Sequence, residues 1–362
     1  MRKTPLFTLV MVLLLALAAF QLLLPQRTMS EMENRKLAPP PTFSFAAFCD
    51  GTFAEALEIF AADQLPLRDQ FVSAYAGMQG LLGRRLINDA IVGAEHRMFD
   101  ASADWSERNV RLNTAALSEL AGLTGRVVTL MAVPSAAAVY PEQLPAHVPV
   151  ADEAALLSAA EENIPVLPLL SALEAQREGE SLYFTTDHHW TAVGARAGYL
   201  TLCEAWGLIP AEQAQPVTCP DFFGSFYARY PLPWQTGDVF AYFPHEGVRL
   251  LVNGEEKPAL VDAKALAGRD KYAALLYGNH ARIELLNDQV RGGTLIVLKD
   301  SYANMLLPML TAHFHRIVAI DPRYFAGNIV DEINQLEEGM VLCVYGMNTL
   351  ASGRTLALLD GL

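Results

Sequence analysis

Residues 294–302 read Thr-Leu-Ile-Val-Leu-Lys-Asp-Ser-Tyr, and this stretch decides the fold class. A short run of mostly branched apolar residues that ends in polar ones is typical of a fully buried strand in a parallel sheet. A helix-like stretch follows at Tyr302–His313. Comparable apolar runs, most of them separated by helix-like stretches, lie at Arg126–Val133, Ile164–Leu170, Arg316–Ile320 and Met340–Tyr345. This alternation predicts an α/β fold with a mostly parallel sheet.

The serine at the end of this strand is a candidate nucleophile. Because Ser301 follows a strand and precedes a helix, its hydroxyl is expected at the carboxyl edge of the sheet, where α/β proteins build their sites. The helix that begins near Tyr302 directs free backbone N–H groups at the same place, which is a candidate oxyanion hole. Asp300 and Ser301 also have the residue types that cap helices, so on local sequence alone a cap remains the alternative.

A second polar segment, Asp187-His188-His189-Trp190, lies about 110 residues earlier. If this segment is extended, residues two apart share a face, so Asp187 and His189 point the same way and His188 points the opposite way. A carboxylate beside an imidazole fixes its tautomer and stabilises the imidazolium. With Ser301 as nucleophile, His189 as base and Asp187 as its orienting acid, the chain contains the parts of a Ser-His-Asp site. A structural histidine with Asp187 capping the next helix is the alternative from spacing alone.

The Asp-His-His sequence also resembles the manganese-binding signature of DHH phosphoesterases. That family has further Asp-rich motifs upstream, and none precedes Asp187. Adjacent histidines on a strand would also point apart, which is a poor arrangement for one ion. The four cysteines show no Cys-x-x-Cys spacing. We therefore expect neither a metal nor another cofactor.

The tetrapeptide identifies a resemblance to the DHHW protein family, which is named for it and is related to alginate O-acetylation proteins with an SGNH-hydrolase-like domain. Two further segments carry the likeness: Ser-Glu-Met-Glu-Asn-Arg at 30–35 and Ala-Asp-Gln-Leu-Pro-Leu-Arg-Asp at 62–69. The resemblance implies an SGNH-hydrolase-like three-layer sandwich with Asp187 and His189 in the triad. The chain departs from the family at Lys299, where glycine is usual.

Other segments that match the family supply candidate oxyanion or substrate residues. Asn348 follows the last strand in Tyr-Gly-Met-Asn, as a Gly-x-Asn block does in SGNH enzymes, and its side-chain amide is a candidate oxyanion donor. Arg323 and Tyr324 follow another strand end and are candidates to line the cleft. Tyr302 and Trp190, each next to a triad residue, complete this set.

Composition narrows the class of protein and of partner. The chain has 362 residues, 52% of them hydrophobic, so it contains ample material for a core. Its formal net charge is 26 − 40 = −14. An acidic body repels phosphates, which excludes nucleic acid as an expected partner.

The first residues predict where the protein resides. Arg2 and Lys3 precede an apolar run from Pro5 to Pro25. Roughly twenty apolar residues can span a bilayer, and a basic flank stays cytoplasmic. We therefore expect a single-pass membrane anchor at 1–26, with a cleaved signal peptide as the alternative. A spacer and helical segment at 27–90 and an α/β domain at 91–362 should lie outside, the latter with a β-rich insertion at about 210–293.

Two classes of function follow from these residues and the resemblance. The first is a membrane-anchored, extracytoplasmic O-acetyltransferase or acetylesterase acting on a cell-surface polysaccharide. Its partners would be the glycan and an acetyl donor, for which a membrane-bound acetyl carrier protein is one candidate. The second is a non-catalytic glycan-binding or assembly protein of the cell envelope.

The anchor prediction can be checked by topology mapping. A tag fused after Leu362 should be cleaved by external protease in intact cells stripped of their wall, because the basic flank holds the amino terminus inside. A cytoplasmic marker protein should survive the same treatment. Protection of the tag until lysis would contradict the predicted orientation.

Overall fold

The computed structural model describes residues 5–21, 24–336 and 339–356. These residues form two compact units. The first contains the described residues up to Arg84 together with Tyr227–Gln235. The second contains Arg85–Phe226 and the described residues from Thr236 onward, and every candidate site residue belongs to it.

Helices and strands alternate along much of the second unit, whereas the first is mostly helical. The helices are α1 (Pro5–Gln21), α2 (Phe45–Asp50), α3 (Thr52–Asp63), α4 (Arg68–Leu81), α5 (Glu107–Thr124), α6 (Ala136–Val139), α7 (Glu153–Glu161), α8 (Leu169–Glu174), α9 (Ala192–Trp206), α10 (Ser225–Arg229), α11 (Ala263–Leu266), α12 (Ala303–Leu310), α13 (Ile329–Gln335) and α14 (Met347–Ser352). The strands are β1 (Met29–Ser30), β2 (Arg35–Lys36), β3 (Leu86–Ile87), β4 (Ala90–Val92), β5 (Met98–Asp100), β6 (Val128–Val133), β7 (Val217–Phe222), β8 (Asp238–Tyr242), β9 (Val248–Val252), β10 (Glu255–Lys257), β11 (Arg282–Asn287), β12 (Thr294–Lys299), β13 (Arg316–Ile320) and β14 (Gly339–Gly346).

In the first unit, ion pairs join the two motif segments that carry the family resemblance. Arg35 donates to both oxygens of Asp63, at 3.0 and 2.5 Å. Arg68 binds Glu33 in the same two-pronged way. The Ser30–Arg35 hairpin is thereby fixed to the break between α3 and α4 by charge-assisted hydrogen bonds.

The amino-terminal segment is a helix over the described residues Pro5–Gln21. Among the described residues, no helix has both the length and the apolar character needed to cross a bilayer. The predicted anchor also includes residues 1–4 and 22–23, which lie outside the described residues. The anchor therefore stays a prediction.

The second unit is built on a sheet whose strands, within the described residues, follow the order β10-β9-β11-β13-β12-β14-β6. β13, β12, β14 and β6 run parallel to one another. β11, β9 and β10 extend the sheet by antiparallel pairing. The α/β class is confirmed, but the sheet is mixed rather than mostly parallel.

The antiparallel half comes from the stretch predicted as a β-rich insertion. β9, β10 and β11 lie between residues 248 and 287 and pair with the central sheet through β13. β7 and β8 form a separate two-stranded sheet. The insertion therefore supplies strands to the main sheet, which the run of turn signals and aromatic residues in the sequence did not reveal.

One predicted strand is wrong. Residues 164–170 touch the sheet only through the bridge between Leu130 and Val166, and α8 begins at Leu169. Pro165 and Pro168 have no N–H to donate, so the segment cannot continue the ladder. Apolar residues here fill the core beside β6 without forming a strand.

Helices cover both faces of the sheet, as alternation along β12 shows. Leu295 and Val297 face the cluster that includes α9 and α12, whereas Ile296 and Leu298 face the cluster that includes α5 and α13. Because β6, β12, β13 and β14 are parallel, their carboxyl ends share one edge. That edge brings together residues 135, 301, 321 and 346.

Close packing of α9 generates a prediction about stability. A Cβ at Gly194 would lie 2.2 Å from the carbonyl oxygen of Leu182, so Gly194→Ala should cost about 1–3 kcal/mol. The matched variant Gly122→Ala lies in open space on α5 and should stabilise by about 0.5–1 kcal/mol. Chemical denaturation measures both free energies. Equal effects of the two variants would contradict the packing described.

Candidate functional site

Ser301 lies in the turn between β12 and α12, and the buried carboxylate of Asp300 holds that turn. Asp300 accepts the N–H of Tyr302 at 3.0 Å and the N–H of Gly346 at 2.8 Å. It also accepts the hydroxyl of Thr349 at 2.7 Å. These bonds join the ends of β12 and β14, so the nucleophile turn is fixed from both sides.

The segment before His189 is a compact loop rather than the extended strand expected from the sequence. Tyr183 and Trp190 form a bridge across it, and the residues between them bend. Asp238 of β8 secures the entry to this loop. Its carboxylate accepts the N–H and the hydroxyl of both Thr185 and Thr186, at 2.6 to 2.8 Å.

The structure brings Ser301, His189 and Asp187 together in one chain of hydrogen bonds. His189 Nε2 lies 2.7 Å from the Ser301 hydroxyl. His189 Nδ1 lies 2.5 Å from Asp187 Oδ1, which also accepts the His189 N–H at 3.0 Å. The other Asp187 oxygen accepts the N–H of Ser225 at 2.7 Å. Serine, imidazole and carboxylate are therefore arranged as nucleophile, base and orienting acid.

The protonation states of Asp187 and His189 follow from their burial and from the charges around them. Burial alone would raise the pKa of the Asp187 carboxyl, but the imidazoles of His189 and His188 hold that pKa well below its usual range. Burial lowers the pKa of His189 from 6.5 to about 4; His188 and Arg323 act in the same direction, and Asp187 opposes them. At neutral pH the site thus holds a carboxylate and a neutral imidazole that can accept the proton of Ser301.

His188 does not point away from the site, contrary to the expectation for an extended segment. Its ring centroid lies 3.8 Å from that of His189, and its Nδ1 lies 2.7 Å from the Ser225 hydroxyl. Asp187, His188 and His189 could each offer one ligand atom within 4.8 Å of the others. The argument that the two histidines diverge is therefore wrong. However, both nitrogens of His189 are engaged by Asp187 and Ser301, so a metal would have to displace those bonds.

Tyr272 is a site residue that the sequence did not reveal. Its ring stacks on His189 with centroids 3.7 Å apart and planes 8° apart, and its hydroxyl donates to the carbonyl of Ser301 at 3.1 Å. It lies in a short 3-10 helix, Tyr272–Ala274, within the insertion. A single tyrosine without a motif gives no local signal, since only the tertiary fold brings it to His189.

The backbone N–H groups at the turn are arranged differently from the oxyanion hole expected near Tyr302. The N–H of Tyr302 is occupied by Asp300, so it does not serve as an oxyanion donor. Within the part of the chain that the structure describes, the N–H of Ser301 has no hydrogen-bond acceptor. The N–H of Ser301 is therefore a candidate oxyanion donor in place of that of Tyr302. Tyr302 is buried, and its hydroxyl donates to the carbonyl of His188 at 2.7 Å.

Two of the remaining candidate residues, Asn348 and Trp190, make hydrogen bonds within the protein at this edge of the sheet. Asn348 Oδ1 accepts the N–H of Thr349 at 2.8 Å, and no hydrogen bond between described residues joins Asn348 to Ser301. Trp190 is fully buried and donates to the carbonyl of Tyr302 at 3.0 Å, so it supports the turn rather than lining a cleft.

Arg323 and Tyr324 follow β13 at the same edge of the sheet. Asp321 binds the guanidinium of Arg323 through two oxygens, at 2.8 and 2.6 Å. Tyr324 is 54% exposed, and the Arg323 guanidinium lies 5.5 Å from its ring centroid. Both side chains are therefore open to solvent beside the site, and Tyr324 is the more accessible of the two.

Lys299 takes the position where the resemblance leads one to expect glycine. The residue is the last of β12, pairs in register with Val344 and is fully buried. Its ammonium group donates to Asn304 at 2.7 Å, and burial lowers its pKa to about 8. An extended backbone accepts any side chain, so lysine does not prevent the turn that presents Ser301.

Comparisons with known proteins agree with this architecture. The sequence model of the family described as "DHHW protein" matches residues 157–320, and that of "SGNH hydrolase-like domain, acetyltransferase AlgX" matches residues 95–218. The predicted resemblance is thereby confirmed. No curated protein sequence matches the chain significantly.

Solved structures share the fold. A DHHW family protein from Eubacterium siraeum is 20% identical with a TM-score of 0.63, over 76% of this chain and 96% of that one. Bacillus cereus PatB1, solved with a sulfonyl adduct, is 19% identical with a TM-score of 0.62, over 74% of this chain and 99% of that one. At these identities the likeness establishes the fold alone, and the relation to SGNH hydrolase-like proteins comes from the family model that matches residues 95–218.

The burial of His189 predicts its titration. Because burial lowers its pKa, the imidazole should lose its proton near pH 4 rather than 6.5 and remain neutral above that range. Nitrogen NMR of labelled histidines in the intact protein measures this midpoint. Asp187→Asn should lower the midpoint further, because the carboxylate favours the protonated ring. A midpoint at or above 6.5 would contradict the buried geometry.

Proposed function

We propose that this protein is an O-acetyltransferase or acetylesterase that acts on a cell-surface polysaccharide outside the cytoplasm, anchored by its amino-terminal segment. The observation that carries the proposal is the unbroken hydrogen-bond chain from Ser301 through His189 to Asp187 at the carboxyl edge of the sheet. This arrangement activates a serine hydroxyl for attack on an ester carbonyl.

The first half of the reaction transfers the acetyl group to the protein. The Ser301 oxygen attacks the acetyl carbonyl of the donor while its proton passes to His189 Nε2. Asp187 stabilises the imidazolium, and the free N–H of Ser301 supports the developing oxyanion. The donor oxygen leaves with the proton from His189, which gives an acetyl ester on Ser301 and a protonated donor.

The second half regenerates the serine. A sugar hydroxyl or a water molecule gives its proton to His189 Nε2 and attacks the acetyl ester. The tetrahedral intermediate collapses, Ser301 leaves as an alcohol with the proton from His189, and the acetyl group resides on the acceptor. The nature of the acceptor thus distinguishes a transferase from an esterase without any change in the protein groups.

The family models support acetyl as the group and a glycan as the acceptor, and a related structure supports a reactive hydroxyl. The description of one matching family model names an acetyltransferase, and the DHHW resemblance extends to proteins of alginate O-acetylation. Sulfonyl reagents form stable esters with activated hydroxyls, and a structure with the same fold contains a sulfonyl adduct. A soluble or membrane-bound acetyl carrier would serve as donor.

The alternative is a glycan-binding protein that retains the fold without turnover. Its support in the sequence is Lys299, which replaces a glycine at the nucleophile block, and the segment Gly93–Phe99, which departs from the family's Gly-x-Asp-Gly-x-Leu-Phe pattern. The buried lysine lies in regular strand geometry and bonds to Asn304, so this departure leaves Ser301 accessible to its base. The alternative therefore depends on kinetic evidence.

Labelling and mutation test the proposal together. A sulfonyl fluoride should modify Ser301, and an acetyl ester should leave an acetyl group there, both read by peptide mass spectrometry. Ser301→Ala and His189→Ala should each lower turnover at least ~1000-fold, and Asp187→Asn should lose less, because the base remains. The exposed Ser158→Ala is the matched control and should retain full activity.

Two outcomes would contradict the proposed function. Equal turnover by the intact protein and folded Ser301→Ala would remove the nucleophile role. An absence of both labelling and turnover in the intact protein, with glycan binding retained, would favour the non-catalytic alternative.

A further inference from the structure

The imidazole of His189 lies between two other rings. Its centroid is 3.7 Å from that of Tyr272, with planes 8° apart, and 3.8 Å from that of His188, with planes 37° apart. Two rings this close cannot share one face of a third, because they would overlap. Tyr272 and His188 therefore cover opposite faces, and the three form a ring stack with His189 in the middle.

Both outer rings of this stack are themselves fixed. His188 Nδ1 lies 2.7 Å from the Ser225 hydroxyl, and the carbonyl of His188 accepts the Tyr302 hydroxyl at 2.7 Å. The Tyr272 hydroxyl donates to the carbonyl of Ser301 at 3.1 Å. Tyr272 thus contacts the proposed base through its ring and the proposed nucleophile through its hydroxyl.

The backbone that carries Tyr272 is anchored at the carboxyl end of its short helix. The N–H of Asp262 donates to the carbonyl of Ala274, and the N–H of Leu276 donates to that of Leu260, each at 2.9 Å. Tyr272 is 3% exposed. The backbone that carries the ring is consequently held by hydrogen bonds within the insertion.

We propose that Tyr272 is a positioning residue of this site, which holds the His189 ring in the plane that joins Asp187 to Ser301 and fixes the main chain of the nucleophile. Its effect on rate rests on the proposed acetyl transfer. Its effect on the geometry and titration of His189 does not, so the two can be tested separately.

The physical reason is the small tolerance of the hydrogen-bond chain. Rotation of the imidazole about its Cβ–Cγ bond would break the contacts to Asp187 and Ser301 together, and flat rings on both faces prevent that rotation. The same rings also keep water away from His189. This loss of contact with water is the main cause of its lowered pKa. The π face of Tyr272 also favours the imidazolium that forms during transfer.

Several titratable or charged groups act on His189, and each has to be considered in a pH experiment. Asp187 favours the protonated ring, whereas His188 and Arg323 disfavour it. The phenols against the ring stay neutral, because burial raises their pKa well above 10. Asp187, His188, Tyr272 and Tyr302 contact the His189 ring, and Arg323 acts on it through its charge.

Two substitutions separate the ring of Tyr272 from its hydroxyl. Tyr272→Phe keeps the stacked ring and removes the bond to Ser301, so the His189 midpoint should stay in place while kcat falls about fivefold with KM unchanged. Tyr272→Ala removes the ring and admits water. The midpoint should then rise by at least about one pH unit toward 6.5, and kcat should fall further.

A matched control comes from a second buried tyrosine beside a histidine. Tyr199 stacks on His313 at 5.7 Å and bonds to its Nε2 at 2.7 Å, outside the candidate site. Tyr199→Ala should lower stability without moving the His189 midpoint. If Tyr272→Ala does not fold, Tyr272→Leu replaces it, since the flexible side chain fills the space but cannot stack flat on the imidazole.

The midpoint is read by nitrogen NMR in the Ser301→Ala background, where no turnover is needed, and kcat is read in the active protein. An unchanged midpoint and unchanged kcat in folded Tyr272→Ala or Tyr272→Leu would overturn the positioning role. An equal shift in Tyr199→Ala would overturn it as well, by showing a general loss of packing. A shifted midpoint in a protein without any turnover would uphold the ring stack and count against acetyl transfer.

Discussion

The buried carboxylate of Asp187 is the charge around which the site is arranged. It receives the imidazole of His189 and the backbone N–H groups of His189 and Ser225, so its oxygens face donors rather than the apolar core. A Cβ at Gly224 would lie 2.2 Å from the Cβ of Asp187, and only glycine permits this approach of the backbone. A buried carboxylate without such donors would be protonated, and His189 would lose its orienting partner.

A second buried carboxylate, Asp300, plays the corresponding role for the nucleophile. It ties the turn after β12 to Gly346 and Thr349 at the end of β14 and occupies the N–H of Tyr302. The turn is thereby held while the hydroxyl of Ser301 contacts His189, and the N–H of Ser301 has no acceptor among the described residues. The two buried carboxylates thus have separate roles. Asp187 orients His189, and Asp300 stabilises the turn that places the Ser301 hydroxyl beside His189.

The parts that could be predicted from sequence are those with a local signal. The apolar run at β12 and the serine behind it predicted the sheet edge. The pairing of Asp187 with His189 was predicted from the family resemblance together with an assumed extended segment, and the structure reaches it through a bent loop instead. The strand predicted at 164–170 is wrong because Pro165 and Pro168 have no N–H to donate to a neighbouring strand, despite the apolar residues around them. The direction of His188 was missed because the loop bends where extension was assumed. Tyr272 and the antiparallel strands are set by contacts distant in sequence, which no local pattern encodes.

The contacts of Asp238 determine when the candidate site can form during synthesis of the chain. Its carboxylate binds Thr185 and Thr186, just before the acid and the base, so that loop depends on residues synthesised about fifty positions later. The nucleophile turn depends in turn on β14. Since chains emerge from the ribosome amino terminus first, His189 is made well before Asp238 and β14, which hold the two loops of the site. The hydrogen bonds that join Ser301, His189 and Asp187 therefore form only after the last strand of the unit has been made.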